Sequence, residues 1–174
     1  MPFEIPNSWC WARLGSIGDW GAGATPARTN SQYYGGNIPW LKTGELNNDT
    51  VYDSEEHITD EALKNCSLRY CYIGDVLIAM YGATIGKLAI AGVPLTTNQA
   101  CCACTPYEGI NNLYLFYFLM EEKYNFTQMG FGGVQPNISK DKIIKHLFPI
   151  PPYEEQKRIV STFIDIQNRL KDED

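Results

Sequence analysis

A chain of 174 residues, 44% hydrophobic and 13% aromatic, is long enough to bury the core of one domain and too apolar to be disordered. No apolar run reaches bilayer-spanning length and no basic stretch precedes a leader-like segment, so the sequence reads as cytosolic. A net charge of −6 argues against nucleic acid at first sight. Its distribution matters more. Glu45, Asp49, Asp53, Glu55, Glu56, Asp60 and Glu61 all fall in 45–61, a stretch without Lys or Arg. These seven acids exceed the whole deficit, so the rest of the chain carries +1. The run is expected to face away from any phosphate, or toward a protein partner.

In chain order, residues 6–17 form an entry segment that sets Trp9, Trp11 and Leu14 on a core. Residues 19–36 are rich in Gly, Thr, Asn, Ser and Tyr and, with Pro26, read as one long loop. Such a loop is either a mobile surface segment or a functional one. Its Arg28, Thr29, Asn30, Gln32, Tyr33 and Tyr34 suit phosphate and base-edge contacts. A strand is predicted over 38–42, and a short helix over 60–65 capped by Thr59.

Apolar, β-prone runs over 76–80 and 85–91, bounded by Gly and Pro, predict two buried strands. Tyr81-Gly82-Ala83-Thr84 joins them and Thr96-Thr97-Asn98-Gln99 follows. Glycine lets a backbone approach a ligand closely, and Asn or Gln amides can pair with the edge of adenine. The same residues equally suit a plain hairpin with a polar tip. Another buried strand is predicted over 100–105. Asn111 or Asn112 caps a helix over 113–124, with Leu113, Phe116, Tyr117 and Met120 as a core-facing stripe. Residues 128–137 form a second glycine-rich loop, Ser139 caps a helix over 140–145, and 146–150 read as a strand. Pro151-Pro152 breaks the chain before a helix favoured by Glu154 and Glu155 at its start. On it, Ile159, Phe163, Ile166 and Leu170 have the spacing of a coiled-coil seam, and the helix is expected to run on past Asp174.

Catalytic signals are weak. Pro151-Pro152-Tyr153 looks like the Asp/Asn-Pro-Pro-Tyr of adenine N6-methyltransferases, but Ile150 cannot accept a hydrogen bond from the exocyclic amine. Residues 82–87 are one residue short of a phosphate loop, with Leu88 where a hydroxyl should hold magnesium. His57 and His146 are isolated, so neither a metal pair nor a catalytic triad is indicated. Cys101, Cys102 and Cys104 sit in one apolar run and Cys10, Cys66 and Cys71 are scattered, so buried free thiols are expected. No catalytic residue, cofactor or metal is expected.

Six motifs occur in a fixed order over nearly the whole chain: Trp9 with Leu14-Gly15-Ser16-Ile17, then Gly23-Ala24-Thr25-Pro26, then Ile38-Pro39-Trp40, then GDVLIAMYGATIGK from Gly74 with TTNQACCA from Thr96, then GGVQPNIS from Gly132, then PIPPYEEQKRIV from Pro149. Together they resemble the target recognition domain of type I restriction-modification specificity subunits. The resemblance implies a recognition domain over 1–150 and the start of a spacer helix over 151–174. The expected fold is α+β: a twisted, largely antiparallel β core with packed helices and a projecting C-terminal helix.

The implied role is reading one half of a split target on double-stranded DNA, without catalysis. The implied partners are modification (methyltransferase) and restriction subunits, and a second recognition half or a second copy joined through the C-terminal helix. Tyr81, Thr84, Gln99, Gln135 and Asn137 are the candidates for bases, and Arg28, Lys42, Lys87 and Lys140 for phosphates. Gly82, Gly132 and Gly133 would let the backbone approach the duplex. Thr84, Lys87, Gln99, Gln135 and Asn137 are expected on one face, with the acidic run off it. Against this stand a protein-interaction or DNA-mimicking antirestriction module, which the clustered carboxylates suit, and the recognition half of a fused restriction-modification enzyme.

Overall fold

Apolar runs that lack a polar face need covering on both sides, and the runs around residues 76–80 and 100–105 accordingly lie at the centre of the molecule. The computed structural model describes residues 2–130 and 136–172. Its strands are β1 (Cys10–Arg13), β2 (Gly18–Ala22), β3 (Tyr34–Leu41), β4 (Asp49–Val51), β5 (His57–Ile58), β6 (Tyr70–Cys71), β7 (Val76–Ala79), β8 (Leu88–Ala91), β9 (Leu95–Thr97), β10 (Cys101–Pro106) and β11 (Leu147–Ile150). Its helices are α1 (Asp60–Asn65), α2 (Asn112–Glu121), α3 (Lys123–Gly130), α4 (Lys140–Lys145) and α5 (Tyr153–Asp172).

The strands form a five-stranded sheet in the order β2-β10-β7-β8-β4, a four-stranded sheet β5-β3-β9-β6, and the pair β1-β11. The fold is thus α+β and largely antiparallel, as expected. Only β3 with β9 and β4 with β8 pair in parallel among the described strands. Side chains of β7 alternate between two cores. Val76 and Ile78 join Leu115, Phe126 and Phe148 on the helical side. Leu77 and Ala79 join Leu41, Leu46 and Leu95 on the other. The same alternation separates Cys101 from Cys104: their spacing is Cys-x-x-Cys, yet the two lie in different clusters and cannot meet one metal ion.

Local capping chemistry falls where the sequence puts it. Thr59 accepts from the Ala62 amide at 3.2 Å, Asn111 from Tyr114 at 3.0 Å and Ser139 from Lys142 at 3.3 Å. Three expectations need correction. Residues 18–22, expected mostly as loop, are a strand paired along its length with β10. Glycine hides it because the neighbours are so close: a Cβ on Gly18 would lie 2.5 Å from Cys104 Sγ. Thr96 and Thr97, expected as a polar connection, are fully buried in β9, where Thr96 Oγ1 donates to the Pro39 carbonyl at 3.1 Å. The helix expected over 113–124 ends at Glu121, and α3 runs from Lys123 to Gly130, taking in 128–130 of the segment expected as a glycine-rich loop.

Along α2, Phe116 is buried while Leu113, Tyr117 and Met120 are half-buried, and Tyr114, Leu115 and Leu119 are buried beside them. The helix is apolar nearly all round because β7 and β8 cover one side and α5 another. Replacing Phe116, only 4% exposed, with Ala is expected to cost about 3–5 kcal/mol. Urea unfolding checks this; a loss as small as that of Leu170→Ala, at an exposed site, would place Phe116 outside the core.

Candidate nucleic-acid interface

At the end of β7 the chain leaves the sheet through Tyr81 and turns back over a 3₁₀ turn, Gly82–Thr84. Gly82 has φ +61° and Gly86 φ +75°, conformations that suit glycine. Thr84 Oγ1 closes the turn by donating to the Tyr81 carbonyl at 2.7 Å, and the Lys87 amide donates to the Thr84 carbonyl at 2.8 Å. A second segment lies alongside. The Gly82 amide donates to Pro136 O and the Ile138 amide to Met80 O, both at 2.9 Å, so Asn137 stands opposite Tyr81. Lys140 follows, exposed, as the first residue of α4.

A third segment arrives through β9. The Met80 amide donates to Ala100 O at 2.8 Å, which puts the Asn98–Ala100 turn beside Tyr81. Asn98 shapes that turn, since its side chain accepts from the Ala100 amide at 3.2 Å. Gln99 is exposed at the apex and accepts a hydrogen bond from Thr25 Oγ1. Thr25 is within reach because the 23–30 loop is laid flat on this turn: the Ala24 amide donates to Thr97 O at 3.0 Å. A Cβ on Gly23 would meet that carbonyl oxygen at 2.2 Å. Tyr81, Thr84, Lys87, Gln99, Asn137 and Lys140 therefore gather at one end of the five-stranded sheet. Gln135 lies outside the described residues, as do Gly132 and Gly133.

Arg28 and Lys42 sit differently. The Arg28 guanidinium is 2.5 Å from the Glu56 carboxylate and lies over the rings of Tyr34 and Trp40, at 4.5 and 4.8 Å. Lys42 Nζ is 3.1 Å from Glu56 and 3.4 Å from Glu55. Hydrogen bonds from Arg28 and then Lys42 hold the Glu56 carboxyl down at about 2. The acidic run was expected away from phosphate contacts, and these two cations were expected on phosphates. The two expectations collide here, because the run supplies the cations' partners.

Glu45 is also taken up internally. It accepts from the Lys42 amide at 2.8 Å, from Ser54 Oγ at 2.9 Å and from the Glu55 amide at 2.9 Å. Sequence reading missed Thr25, and gave Asn48 no role. Asn48 adopts φ +58° and brackets Leu88, giving its amide to Leu88 O at 2.8 Å and accepting from Leu88 N at 3.0 Å. The Asn47-Asn48 pair, a turn signal, could have revealed it.

The helix seam divides into a used and an unused part. Ile159 is half-buried against the core and Phe163 packs on Tyr117 of α2 with ring centroids 4.4 Å apart. Ile166 and Leu170 are 52% and 60% exposed. Burial raises the Cys71 and Cys102 thiols to about 12 and lifts Cys101 and Cys104 as well, so these four are poor nucleophiles. Among the described residues no group of three His, Cys, Asp or Glu side chains is placed to hold a metal ion.

The α+β core thus brings turn residues with amide, hydroxyl and lysine side chains to one sheet end, while a long helix leaves elsewhere. The chain belongs to the family of type I restriction modification DNA specificity domains, whose profile matches residues 6–173. It is 34% identical to the type I restriction enzyme MjaIX specificity subunit of Methanocaldococcus jannaschii, covering 97% of this chain and 41% of that subunit. It is 29% identical to the EcoR124I/EcoR124II specificity subunit of Escherichia coli, over 86% of this chain and 39% of that one. In fold it matches the crystal structure of the HsdS subunit from Thermoanaerobacter tengcongensis with a TM-score of 0.79 at 22% identity, covering 98% of this chain and 40% of HsdS. The chain thus spans about two-fifths of the relatives it matches.

Because Glu56 ionises more readily in the folded protein than when unfolded, its ion pairs stabilise fully above pH 4.5 and are lost as pH falls toward 2. The carboxylate is one-third exposed, so the contribution is about 1 kcal/mol or less. Thermal melts of the wild type and Glu56→Gln should differ at pH 6 and converge by about pH 2–3; a difference that persists into acid would show that the pairs are not its source.

Proposed function

We propose that this chain is a non-catalytic DNA-reading module that recognises one half of a split target for a type I restriction-modification complex. The observation that carries the reading is the gathering of Tyr81, Thr84, Gln99 and Asn137 at one sheet end, with Lys87 and Lys140 beside them. Rigid strands aim short turns, as base readout requires, while lysines supply the backbone contacts that fix register. Family membership and the specificity-subunit relatives support the same conclusion. Residues 1–150 form the recognition domain and 151–174 begin the spacer helix. The partners are double-stranded DNA, modification and restriction subunits, and a second recognition half or second copy. In the cytoplasm, those subunits would supply the methyl transfer and cleavage that this chain does not perform.

A DNA-mimic role is not favoured. Mimicry needs free carboxylates, whereas Glu56 is paired with two cations and Glu45 accepts from the Lys42 and Glu55 amides.

Selection from random duplexes with the full assembled complex tests the reading; equal affinity for every duplex would end it. Gln99→Ala is expected to relax preference at one base pair, at a cost of about 1–3 kcal/mol in discrimination. Lys87→Ala should weaken all duplexes alike and reduce the salt slope by about one.

For assembly, Ile166→Glu should disrupt helix–helix association by burying an unpaired charge. Sedimentation of both forms decides this, and an unchanged oligomeric state would show that the exposed half of the seam is not an interface.

A further inference from the structure

Gln156 lies in the first turn of α5 and is fully buried, although the polar residues around it on that turn are mostly exposed. Both polar atoms of its amide are engaged. Oε1 accepts from the Asn111 amide at 2.8 Å, and Nε2 donates to Gly109 O and to Pro151 O, each at 3.0 Å. These partners lie in two places: Gly109 and Asn111 in the connection between β10 and α2, and Pro151 just ahead of α5. Asn111 caps α2 through Tyr114. Gly109, at φ +88°, sits in the turn between β10 and α2. Pro151 ends the path out of β11. One side chain therefore ties the root of α5 to the β10–α2 connection, up to the start of α2, and to the segment that leads in from β11.

The other contacts of α5 with the core are apolar: Val160 is buried, Ile159 and Ile164 pack partly, and Phe163 rests on Tyr117. Apolar contacts are non-directional and tolerate sliding and tilt. Hydrogen bonds are short-ranged and angular, so orientation is set where they are. The lever is long. A helix of 20 residues extends about 30 Å, so a tilt of roughly 10° at its root moves its far end about 5 Å. That exceeds the rise of about 3.4 Å between base pairs.

We propose that Gln156 is a positioning residue: it fixes the direction in which α5 leaves the recognition domain and thereby restricts the separation at which two half-targets are read together. This rests on the split-target reading above, and it assigns Gln156 no contact with DNA.

The test uses the complete specificity subunit in complex with its modification subunits. Binding is measured on duplexes whose two half-targets are separated by successive numbers of base pairs. The wild type should favour one separation. Gln156→Met, of similar volume but unable to make any of the three bonds, should lower the preference for that separation over its neighbours by about tenfold, with base preference inside each half-target unchanged. Gln156→Glu should fall between them, since a protonated acid has one donor for two carbonyls; it also serves if the Met variant does not fold. A Glu or folded Met variant with wild-type separation preference, or one that loses base preference instead, overturns the proposal.

A second readout is independent of DNA. Spin labels at the exposed positions Tyr107 and Asn168, the latter on the side of α5 away from the seam, report the core-to-helix distance in the subunit alone. The distribution should be narrow for wild type and broader for the variants; equal widths overturn the proposal. A wild-type complex without any separation preference would instead refute the split-target reading, and the distance distributions would still decide the role of Gln156 in aiming the helix.

Discussion

The molecule depends on the Asn98–Ala100 turn, where the chain passes from one sheet into another. β9 ends at Thr97 in the four-stranded sheet and β10 begins at Cys101 in the five-stranded sheet. Asn98 makes so short a crossing possible. Its amide donates to Leu41 O at 3.0 Å, its carbonyl accepts from Cys101 N at 3.2 Å, and its side chain satisfies Ala100. Three groups that burial would otherwise leave unpaired are thus satisfied at one residue. The crossing fixes the parallel seam of β3 with β9, carries Gln99 outward and gives the 23–30 loop its floor. Core packing and the arrangement of these exposed turns are consequences of the same few hydrogen bonds.

Electrostatics follow a similar economy. The net negative charge of the chain overstates what its surface offers, because part of the acidic run is engaged locally. Glu56 holds Arg28 and Lys42, Asp53 lies 2.8 Å from His57, and Glu45 serves backbone amides. Arg28 is further engaged by Tyr34 and Trp40, so the run fastens the irregular 23–30 loop to β3. Lys87 and Lys140 are free of such pairing among the described residues, although β4, which begins at Asp49 of the acidic run, pairs with β8 immediately after Lys87. Counting charges over the sequence therefore misjudges what a phosphate would meet.

What the sequence makes legible is mostly local. Thr59, Asn111 and Ser139 announce their helices because a cap needs only the next three residues. The runs 76–80 and 100–105 announce buried strands because nothing polar interrupts them. β2 and β9 stay hidden for opposite reasons: one is written in glycine because β10 presses against it, the other in threonine, of which Thr96 finds a partner inside in the Pro39 carbonyl. Arg28 and Glu56 meet across 28 residues, a pairing no local pattern records. At the candidate site, turn residues such as Gly82 and Gln99 stand out from sequence. Thr25 does not, because its neighbour is brought by a strand crossing 74 residues away. Gln156 looks like an ordinary polar residue on a solvated helix until its burial is seen.

The pairing of β1 with β11 sets Cys10 directly opposite Ile150. The chain thus enters and leaves the domain side by side, with the Leu14 amide reaching His146 O at 3.0 Å to close the gap. Everything between hangs from that clasp as a closed insert, an arrangement that tolerates exchange of the inserted part. A different set of turns, folded between the same two strands, would meet α5 at the same point. The fold is consequently built for grafting: the segment between the two strands can be replaced wholesale while the path of the chain on either side stays as it is.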